Sequence, residues 1–552
     1  MLPRTLATAL FVCATLAAPQ RSAAAVYQWS TQVEGPVSPE TGDRPRAFLW
    51  VPPSCRHIDA VVVGQHNLLE EPLLEAPRFR QAMARLCMAE VWVSPAFAQM
   101  FDFNAGAGER FTAMMRDLAQ QSGYDELAFA PIVPVGHSAL ASYPWNFAAW
   151  NPSRTLAVIS LKGDAPLTHM TGSGKPNPDW GDRTIDGVPG LMVMGEYEWV
   201  EGRLTPALAY QKAHPAAAIS FYADAGHGHF GLSDDLVDYI ARFIARAATR
   251  RLPRHRPASG PVPLIPIDPR TGWRADRWHP YSEPAAPAAP FRDYTGPRDT
   301  SFWYFDGEMA RRAEAHYAAA RGKAPQLLGF RQDGATVPQA ATQAQVTLQF
   351  RPLDDGNSFR LEPVFLGTVP GESPNPSRWT RLPAGSSLGH APGPITVTRD
   401  TGPVVQTGPD SWTLSFNRTG FDNRRRAGDV WFVATQAGDR TYKAMEQQAL
   451  LRVPPANTDG RPQAISFTLP DQVNLRASTG GLQLNATSDS GLPVRYYVRE
   501  GPAEIDGDRL RFTDIPVRAK WPMRITVVAW QYGIAGKVKS ADPIERSVEL
   551  TK

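Results

Sequence analysis

Residues 131–141 read Pro-Ile-Val-Pro-Val-Gly-His-Ser-Ala-Leu-Ala. An apolar run meets Gly-His-Ser and then becomes a helix-forming stretch, which predicts a strand, a sharp turn and a helix. The serine at position 138 would lie at the apex of the turn, with its hydroxyl clear of its own backbone and backbone N–H groups beside it. This pattern indicates a nucleophile elbow.

Two features depart from the usual elbow pattern. A small residue normally stands two positions after the serine, because helix and strand pass closely there, but this chain has Leu140. Pro134 lies within the apolar run, where a central strand would lose one hydrogen bond of the ladder. A kinked strand end or a bulge would accommodate both residues.

Residues 46–248 alternate apolar runs with amphipathic segments. Because continuous apolar strands between such helices are typical of a parallel sheet covered on both faces, the pattern predicts one α/β domain. The predicted strands are 46–51, 60–64, 90–94, 127–135, 156–161, 191–194 and 218–222, and the predicted helices are 77–88, 109–122, 139–150, 204–214 and 233–248.

A serine hydroxyl needs a histidine to take its proton and an acid to orient that histidine. Candidate acids and histidines follow Ser138 in the order serine, acid, histidine. With the elbow and the alternating pattern, residues 46–248 resemble an α/β-hydrolase domain. The resemblance implies a mostly parallel sheet and a serine hydrolase site at one edge of it.

The resemblance places the histidine in the loop after the last strand, which reads Ala-Gly-His-Gly-His-Phe-Gly-Leu-Ser-Asp from residue 225 to 234. Gly-His-Gly around His227 is found in many hydrolases. Gly-His-Phe around His229, followed shortly by a helix cap, is another common form. We favour His229 and keep His227 as the alternative. Both histidines would otherwise be ordinary residues of a surface loop.

The acid is expected after the strand 191–194, where the chain reads Gly-Glu-Tyr-Glu-Trp-Val-Glu. In the hydrolases that this domain resembles, the acid usually comes three residues past the glycine, which selects Glu198. The other candidates are Glu196, Glu201 and, after the preceding strand, Asp164.

An oxyanion hole needs two N–H groups directed at the developing negative charge. One is expected from the backbone of Ala139. The second is expected from the loop after the strand 60–64, where relatives carry a His-Gly pair and this chain carries Gly-Gln-His; this selects Gln65 or His66.

The rest of the chain predicts further units. Residues 251–330 form a Pro-rich connector with an aromatic run at 302–305 and a helix near 306–321. Short alternating runs punctuated by Gly, Pro, Asp and Asn then predict β-sandwich material in two units, 331–461 and 462–552. The last unit resembles the bacterial immunoglobulin-like modules of exported proteins. The catalytic domain would therefore span 26–250. Tryptophans of the β units, including Trp379, Trp412, Trp431 and Trp530, are expected mainly in cores.

The N-terminus and the cysteines indicate export. Residues 1–25 combine Arg4, an apolar core and a small-residue site before Val26, as in a cleavable signal peptide, so we expect a secreted or periplasmic protein. Two cysteines remain beyond it, Cys55 and Cys87. Each precedes a predicted strand, and a disulfide and two separate buried thiols are both compatible with that placement.

Composition narrows the function classes. A net charge of +3 is too small to indicate nucleic-acid binding, and no apolar run is long enough to predict a membrane span. No metal-binding motif or phosphate loop is present in the sequence, so no cofactor is expected. The sequence thus predicts an exported serine esterase acting on an acylated small molecule or polysaccharide. A peptidase or amidase on the same scaffold, and a non-catalytic binding or cell-surface protein with a degenerate hydrolase domain, are the alternatives.

Overall fold

A mostly parallel sheet of eight strands carries the predicted elbow. In a computed structural model, residues 26–38, 42–169, 171–257, 259–280, 282–341, 344–418 and 429–552 are described. The predicted signal peptide lies outside them. The strands are β1 Trp29–Gln32, β2 Arg46–Trp50, β3 Ala60–Gln65, β4 Met88–Ser94, β5 Ile132–His137, β6 Val158–Leu161, β7 Pro189–Gly195 and β8 Ala218–Asp224. Their order is β1-β2-β4-β3-β5-β6-β7-β8; the pairs β1–β2 and β2–β4 are antiparallel and the other neighbouring pairs are parallel.

Helices cover both faces of this sheet, so every residue of β3 to β8 is buried. This burial is the reason that the strands read as continuous apolar runs. The helices are α1 Glu70–Glu75, α2 Pro77–Arg85, α3 Ala107–Ser122, α4 Tyr143–Trp150, α5 Glu201–Ala213 and α6 Asp234–Arg251. This arrangement fits the α/β-hydrolase fold that the sequence predicted.

The observed elements differ from the predicted ones at several ends. The run 127–135 was wrong as one strand, because Asp125–Ala128 forms a short 3-10 turn and β5 begins only at Ile132. The helix predicted from 139 begins at Tyr143, after a separate turn over Ser138–Leu140. Strand β1 and helix α1 were not predicted.

Pro134 lies inside β5, a central strand, at an irregularity of its ladder. On the β6 side, Ile132 bridges Thr155, and regular pairing resumes only at Val135 with Ile159. Between these two pairs, residues 133–134 of β5 therefore lie opposite the three residues 156–158 of the neighbouring segment. The irregular stretch contains the position where proline has no N–H to donate, so the sheet accommodates it.

The connector packs against the last strand of the main sheet. Its three strands, β9 Trp273–Asp276, β10 Ala289–Pro290 and β11 Ser301–Tyr304, form an antiparallel sheet, and helix α7 Gly307–Ala320 follows. The hydroxyl of Tyr304 donates to the carbonyl of Phe221 in β8 at 2.7 Å, and the Phe302 ring stacks on the Phe221 ring at 5.1 Å. The aromatic run 302–305 thus docks the connector.

Residues 328–452, called the β region below, lie over the carboxyl edge of the main sheet. Three sheets have the orders β13-β12-β16, β14-β21-β20-β17 and β15-β19-β18. The elements are β12 Leu328–Gln332, β13 Ala335–Thr336, β14 Val346–Gln349, β15 Ser358–Arg360, β16 Glu362–Phe365, α8 Pro374–Thr380, β17 Thr396–Thr401, β18 Val404–Gln406, β19 Ser411–Leu414, β20 Asp429–Gln436 and β21 Met445–Arg452.

The C-terminal part of the chain is also all β. Its sheets have the orders β22-β25, β23-β30-β29-β26 and β24-β28-β27, and all pairs are antiparallel except β23 with β30. The strands are β22 Ile465–Thr468, β23 Gln472–Asn474, β24 Leu482–Gln483, β25 Asn485–Ser488, β26 Arg495–Glu500, β27 Ala503–Asp506, β28 Arg509–Phe512, β29 Met523–Trp530 and β30 Ile544–Thr551. This is consistent with an all-β unit, whereas the immunoglobulin-like fold and the domain boundaries stay predictions.

No helix in the part of the chain that the structure describes is long and apolar enough to cross a membrane. Cys55 and Cys87 are joined by a disulfide at the end of the sheet opposite to the elbow.

Candidate active site

Ser138 lies directly after β5 in a strained backbone conformation. Its φ of 52° is in the left-handed region, which side chains rarely adopt and which is typical of a nucleophile at an elbow. Close packing occurs at Gly136, where a Cβ would collide with the carbonyl of Leu140. The small residue that the turn needs therefore precedes the serine here. Leu140 is itself buried, and it is the Leu140 backbone carbonyl that approaches Gly136.

His229, in the loop between β8 and α6, contacts the serine. Its Nε2 lies 2.7 Å from Ser138 Oγ, and its Nδ1 is hydrogen-bonded to the Glu198 carboxylate. The pairing with the carboxylate assigns the proton of the neutral ring to Nδ1, so that Nε2 can accept the serine proton. The structure thus brings together the serine, histidine and acid that the sequence favoured.

Glu198 follows β7 and is nearly buried. Its other oxygen accepts the backbone N–H of Gly195 at 2.9 Å. Burial alone would raise the pKa of Glu198, but the charge of His229, the hydrogen bond to it and the nearby Lys162 ammonium outweigh burial and lower this pKa. The carboxylate is therefore ionised at neutral pH and can stabilise a protonated His229.

The other predicted acids lie in different environments. Glu196 accepts the Gly226 N–H and pairs with Lys443 of the β region at 2.8 Å. Asp164 accepts the Ser142 hydroxyl and the Gly172 N–H, and Glu201 pairs with Arg277 near the surface. None of these carboxylates contacts His229 in the part of the chain that the structure describes.

His227 points away from the serine. Its Nδ1 lies 3.0 Å from Asp224, and its Nε2 lies 3.6 Å from Glu446 in β21. Burial opposes its protonation, but the two carboxylates prevail and raise the pKa of His227 to about 9. A permanently protonated histidine is a poor general base, so this environment favours His229 for that role.

A buried ion network holds the histidine loop. Lys162 is fully buried; its ammonium lies 2.9 Å from Asp224 and donates to the carbonyls of Gly228 and Gly231, each at 2.6 Å. These carbonyls lie on both sides of His229. The ammonium therefore fixes the loop that presents the imidazole to Ser138.

Asp224, His227 and His316 each place one possible metal-ligand atom within 4.8 Å of the others. The Lys162 ammonium binds the same Asp224 carboxylate, and His227 carries a proton at neutral pH. A metal ion would have to compete with both positive charges. We therefore interpret the cluster as an ion-pair network.

Residues next to the elbow fix its shape. His137 is buried, and burial lowers its pKa well below the ordinary value, so its ring is neutral. Its Nε2 donates to the carbonyl of His229 at 3.0 Å, while its Nδ1 lies 3.2 Å from the Asn67 side-chain amide. The Glu70 carboxylate accepts the N–H groups of Asn67, Leu68 and His137. This links the elbow to the loop after β3.

Two of the three predicted oxyanion residues line a cavity next to the elbow. Ala139 and His66 line it together with Ser138. The backbone N–H of His66 already donates to the carbonyl of Val93 at 2.7 Å. The buried Gln65 side chain exchanges two hydrogen bonds, each of 3.1 Å, with the backbone of Ala98. The role of all three residues in binding an oxyanion stays a prediction.

The β region covers the site. A cavity of about 310 Å³ lies on the Ala139 side of Ser138 and is lined by Phe230 and Trp431, whose rings stack at 4.2 Å. A second cavity, of about 280 Å³, lies on the His229 side and is lined by Trp379. Trp412 of the β region and Trp530 of β29 are buried in one shared hydrophobic core, as the sequence predicted, whereas Trp379 and Trp431 face the site.

Several residues of the site were not predicted: Glu70, Lys162, Arg203, Glu446 and His137 as a positioning group. The only local signal is at Lys162, a lysine directly after an apolar strand. The remaining contacts join segments far apart in the chain and have no sequence pattern of their own.

No protein-family profile and no curated protein matches this sequence. Solved structures similar to it include the esterase domain of a Rhodothermus marinus protein, with 17% identity over 40% of this chain and 98% of that chain and a TM-score of 0.28. Esterase PE8 is 15% identical; the match covers 39% of this chain and 100% of that chain, with a TM-score of 0.27. An S-formylglutathione hydrolase from Agrobacterium tumefaciens is 16% identical; the match covers 38% of this chain and 90% of that chain, with a TM-score of 0.27. At such scores the matches carry no weight in assigning the site.

Proposed function

We propose that this protein is a serine hydrolase that cleaves carboxylic esters through an acyl-enzyme. The observation that carries the proposal is the continuous contact from Ser138 through His229 to Glu198, on a serine with φ in the left-handed region. Strain at this position supports a functional role, because a non-glycine residue adopts such a conformation only where the surrounding structure imposes it.

In the proposed reaction Ser138 Oγ attacks the ester carbonyl carbon, and His229 Nε2 takes the serine proton. Glu198 stabilises the imidazolium. The proton then passes to the oxygen of the leaving alcohol, and the acyl group stays on Ser138. Water, deprotonated by His229, then attacks the acyl carbonyl; the bond between the acyl carbon and Ser138 Oγ breaks, Oγ regains the proton from His229, and the acid leaves.

The oxyanion is assigned to the backbone N–H of Ala139 and to the side chain of His66. The second assignment is preferred to the backbone N–H of His66 because Val93 already accepts that N–H. Removal of one hydrogen-bond donor from an oxyanion hole typically lowers kcat by about 10²–10³-fold. His66→Ala should therefore lower kcat without abolishing labelling of Ser138.

A fluorophosphonate probe and short acyl esters of 4-nitrophenol test the proposal. Wild-type protein should be labelled and should release 4-nitrophenol, whereas Ser138→Ala should do neither. Turnover of matched 4-nitroanilides as fast as the esters would instead favour an amidase. Absence of labelling and turnover in the wild type, with Ser138→Ala behaving identically, would favour a non-catalytic protein.

The substrate and the compartment are further proposals. An acylated polysaccharide is supported by Trp379 and Trp431, since aromatic rings at a cavity can stack on sugars. Export is supported by the disulfide, because such bonds persist mainly in oxidising compartments. Release of acetate from acetylated polysaccharides would test the substrate. Fractionation of cells that express the full chain would test export.

A further inference from the structure

The cavity on the His229 side of Ser138 is formed by two parts of the chain. The catalytic domain contributes His229, Glu198 and Arg203, and the β region contributes Arg378 and Trp379. The cavity encloses about 280 Å³, close to the lower end of small-ligand sites. It therefore has room for about one ring and its substituents.

The carboxylates at this cavity are engaged in the site itself. Glu198 binds His229 and the Gly195 N–H. Glu446 accepts the Gly228 N–H and faces the protonated His227. The Glu446 charge is therefore directed at His227, whereas the Glu198 carboxylate is shared between His229 and the Arg203 guanidinium.

The guanidinium groups of Arg378 and Arg203 differ in the acidic neighbours that could neutralise their charge. Arg378 donates to the neutral side-chain oxygen of Asn375 at 3.0 Å, and no carboxylate of the described ranges lies within ion-pair distance of it. Arg203 has Glu198 as its carboxylate neighbour, at 3.8 Å, but that acid is shared with His229. The exposed Arg378 therefore brings to the cavity a positive charge that no carboxylate of the described residues pairs.

This cavity lies where the leaving alcohol would lie. His229, which returns the proton to the alcohol oxygen, lines it, whereas Ala139, the predicted oxyanion donor, lines the cavity on the opposite side. The alcohol portion of an ester bound at Ser138 would thus extend toward Arg203 and Arg378, and the acyl portion toward Phe230 and Trp431.

We propose that the cavity is a subsite for a carboxylate carried by the alcohol portion of the substrate, on or next to a ring. Planar guanidinium groups match the two oxygens of a carboxylate, and the partly exposed indole of Trp379 offers a surface for the ring. This inference rests on the proposed ester hydrolysis and narrows its substrate class to esters of hydroxy acids, such as acylated uronate sugars.

A pair of acetyl esters tests the subsite. 4-Acetoxybenzoate and 4-acetoxybenzamide share the acyl group and the ring and differ in the charge opposite the ester. The kcat/KM of each ester is divided by its rate of hydroxide-catalysed hydrolysis. The corrected value should favour the anionic ester by about two- to fivefold, the effect of one exposed ion pair. The preference should shrink as salt is added.

Arg378→Gln should lower kcat/KM on the anionic ester more than on the amide, and so remove most of this preference, because only the anionic ester carries the charge that Arg378 would bind. Arg360→Gln, an exposed arginine at the end of β15, is the matched control and should keep the wild-type preference. A wild-type preference for the neutral ester, or equal loss of rate on both esters in Arg378→Gln, would overturn the subsite.

Binding of the products separates this inference from the proposed function. 4-Hydroxybenzoate should bind the Ser138→Ala variant more tightly than 4-hydroxybenzamide does, as measured by calorimetry, and Arg378→Gln should abolish the difference. Equal binding of the two products would refute the subsite even if both esters are hydrolysed. If the wild type neither hydrolyses the esters nor reacts with the fluorophosphonate, the proposed function itself fails.

Discussion

The carboxylate of Glu446 accepts the backbone N–H of Gly228 at 3.0 Å, one residue before the histidine that contacts Ser138. Glu446 belongs to β21, so the β region supports the catalytic loop directly. The packing here is tight, because a Cβ at Gly231 would collide with the same carboxylate. The β region is therefore part of the candidate active site and not only a neighbour of it.

Removing the Glu446 side chain should loosen the histidine loop. We expect Glu446→Ala to lower kcat by about tenfold or more, with a smaller change in KM, because a small displacement of a catalytic group is costly. Glu446→Gln keeps an oxygen that can accept the Gly228 N–H and should retain most of the activity. Steady-state kinetics on a 4-nitrophenyl ester would measure both. A wild-type kcat in Glu446→Ala would show that the contact does not position His229.

Glu198 and Glu196 provide a matched test of the acid. Glu198→Gln should lower kcat by about 10³- to 10⁴-fold, because the amide cannot stabilise the imidazolium or fix the required ring proton. Glu196→Gln should have a much smaller effect, since Glu196 pairs with Lys443. The two variants are compared by kcat on the same ester, with thermal unfolding as a check on folding. A larger loss in Glu196→Gln would reverse the assignment.

His227 should make stability depend on pH. Its pKa is raised from 6.5 to about 9 in the folded protein, so protonation favours the folded state. The resulting stabilisation is fully present below about pH 6.5 and is lost as pH rises through about 9. The thermal midpoint should therefore fall over this interval, and His227→Gln should be less stable at pH 6.5 and flatter in its pH dependence. A parallel decline in wild type and variant would contradict the prediction.

Breaking the disulfide should destabilise the catalytic domain without affecting the chemistry. The bond closes a loop with a sequence separation of 32 residues, for which chain entropy suggests about 3 to 4 kcal/mol. The double variant Cys55→Ser/Cys87→Ser should unfold at a lower urea concentration than the wild type. Addition of a reducing agent should lower the urea midpoint of the wild type and leave that of the variant unchanged. Because the bond lies at the opposite edge from Ser138, kcat at 25 °C should be unchanged. A large loss of kcat in the folded variant would contradict this separation.

The apolar runs and the elbow were predictable because they depend on local pattern. Buried parallel strands must be apolar on both faces, so six of the predicted strands were found within a few residues of their predicted ends. The short helix α1 and the edge strand β1 lack such a pattern: α1 contains the buried acids Glu70 and Glu71, and β1 includes polar residues. Their structures depend on tertiary contacts.

Local patterns in the sequence were enough to predict the nucleophile, the sheet and the order of acid and histidine after Ser138. The sequence favoured His229 and left His227 as the alternative, because they stand two residues apart in one glycine-rich loop. The tertiary structure made that distinction: Asp224 and Glu446 hold His227 in an ion network, while Lys162 and His137 fix the backbone that presents His229 to Ser138. The positions of the two histidines depend on buried charged groups from distant segments of the chain. Each buried charge needs a partner, and no local sequence pattern specifies which residue that partner is.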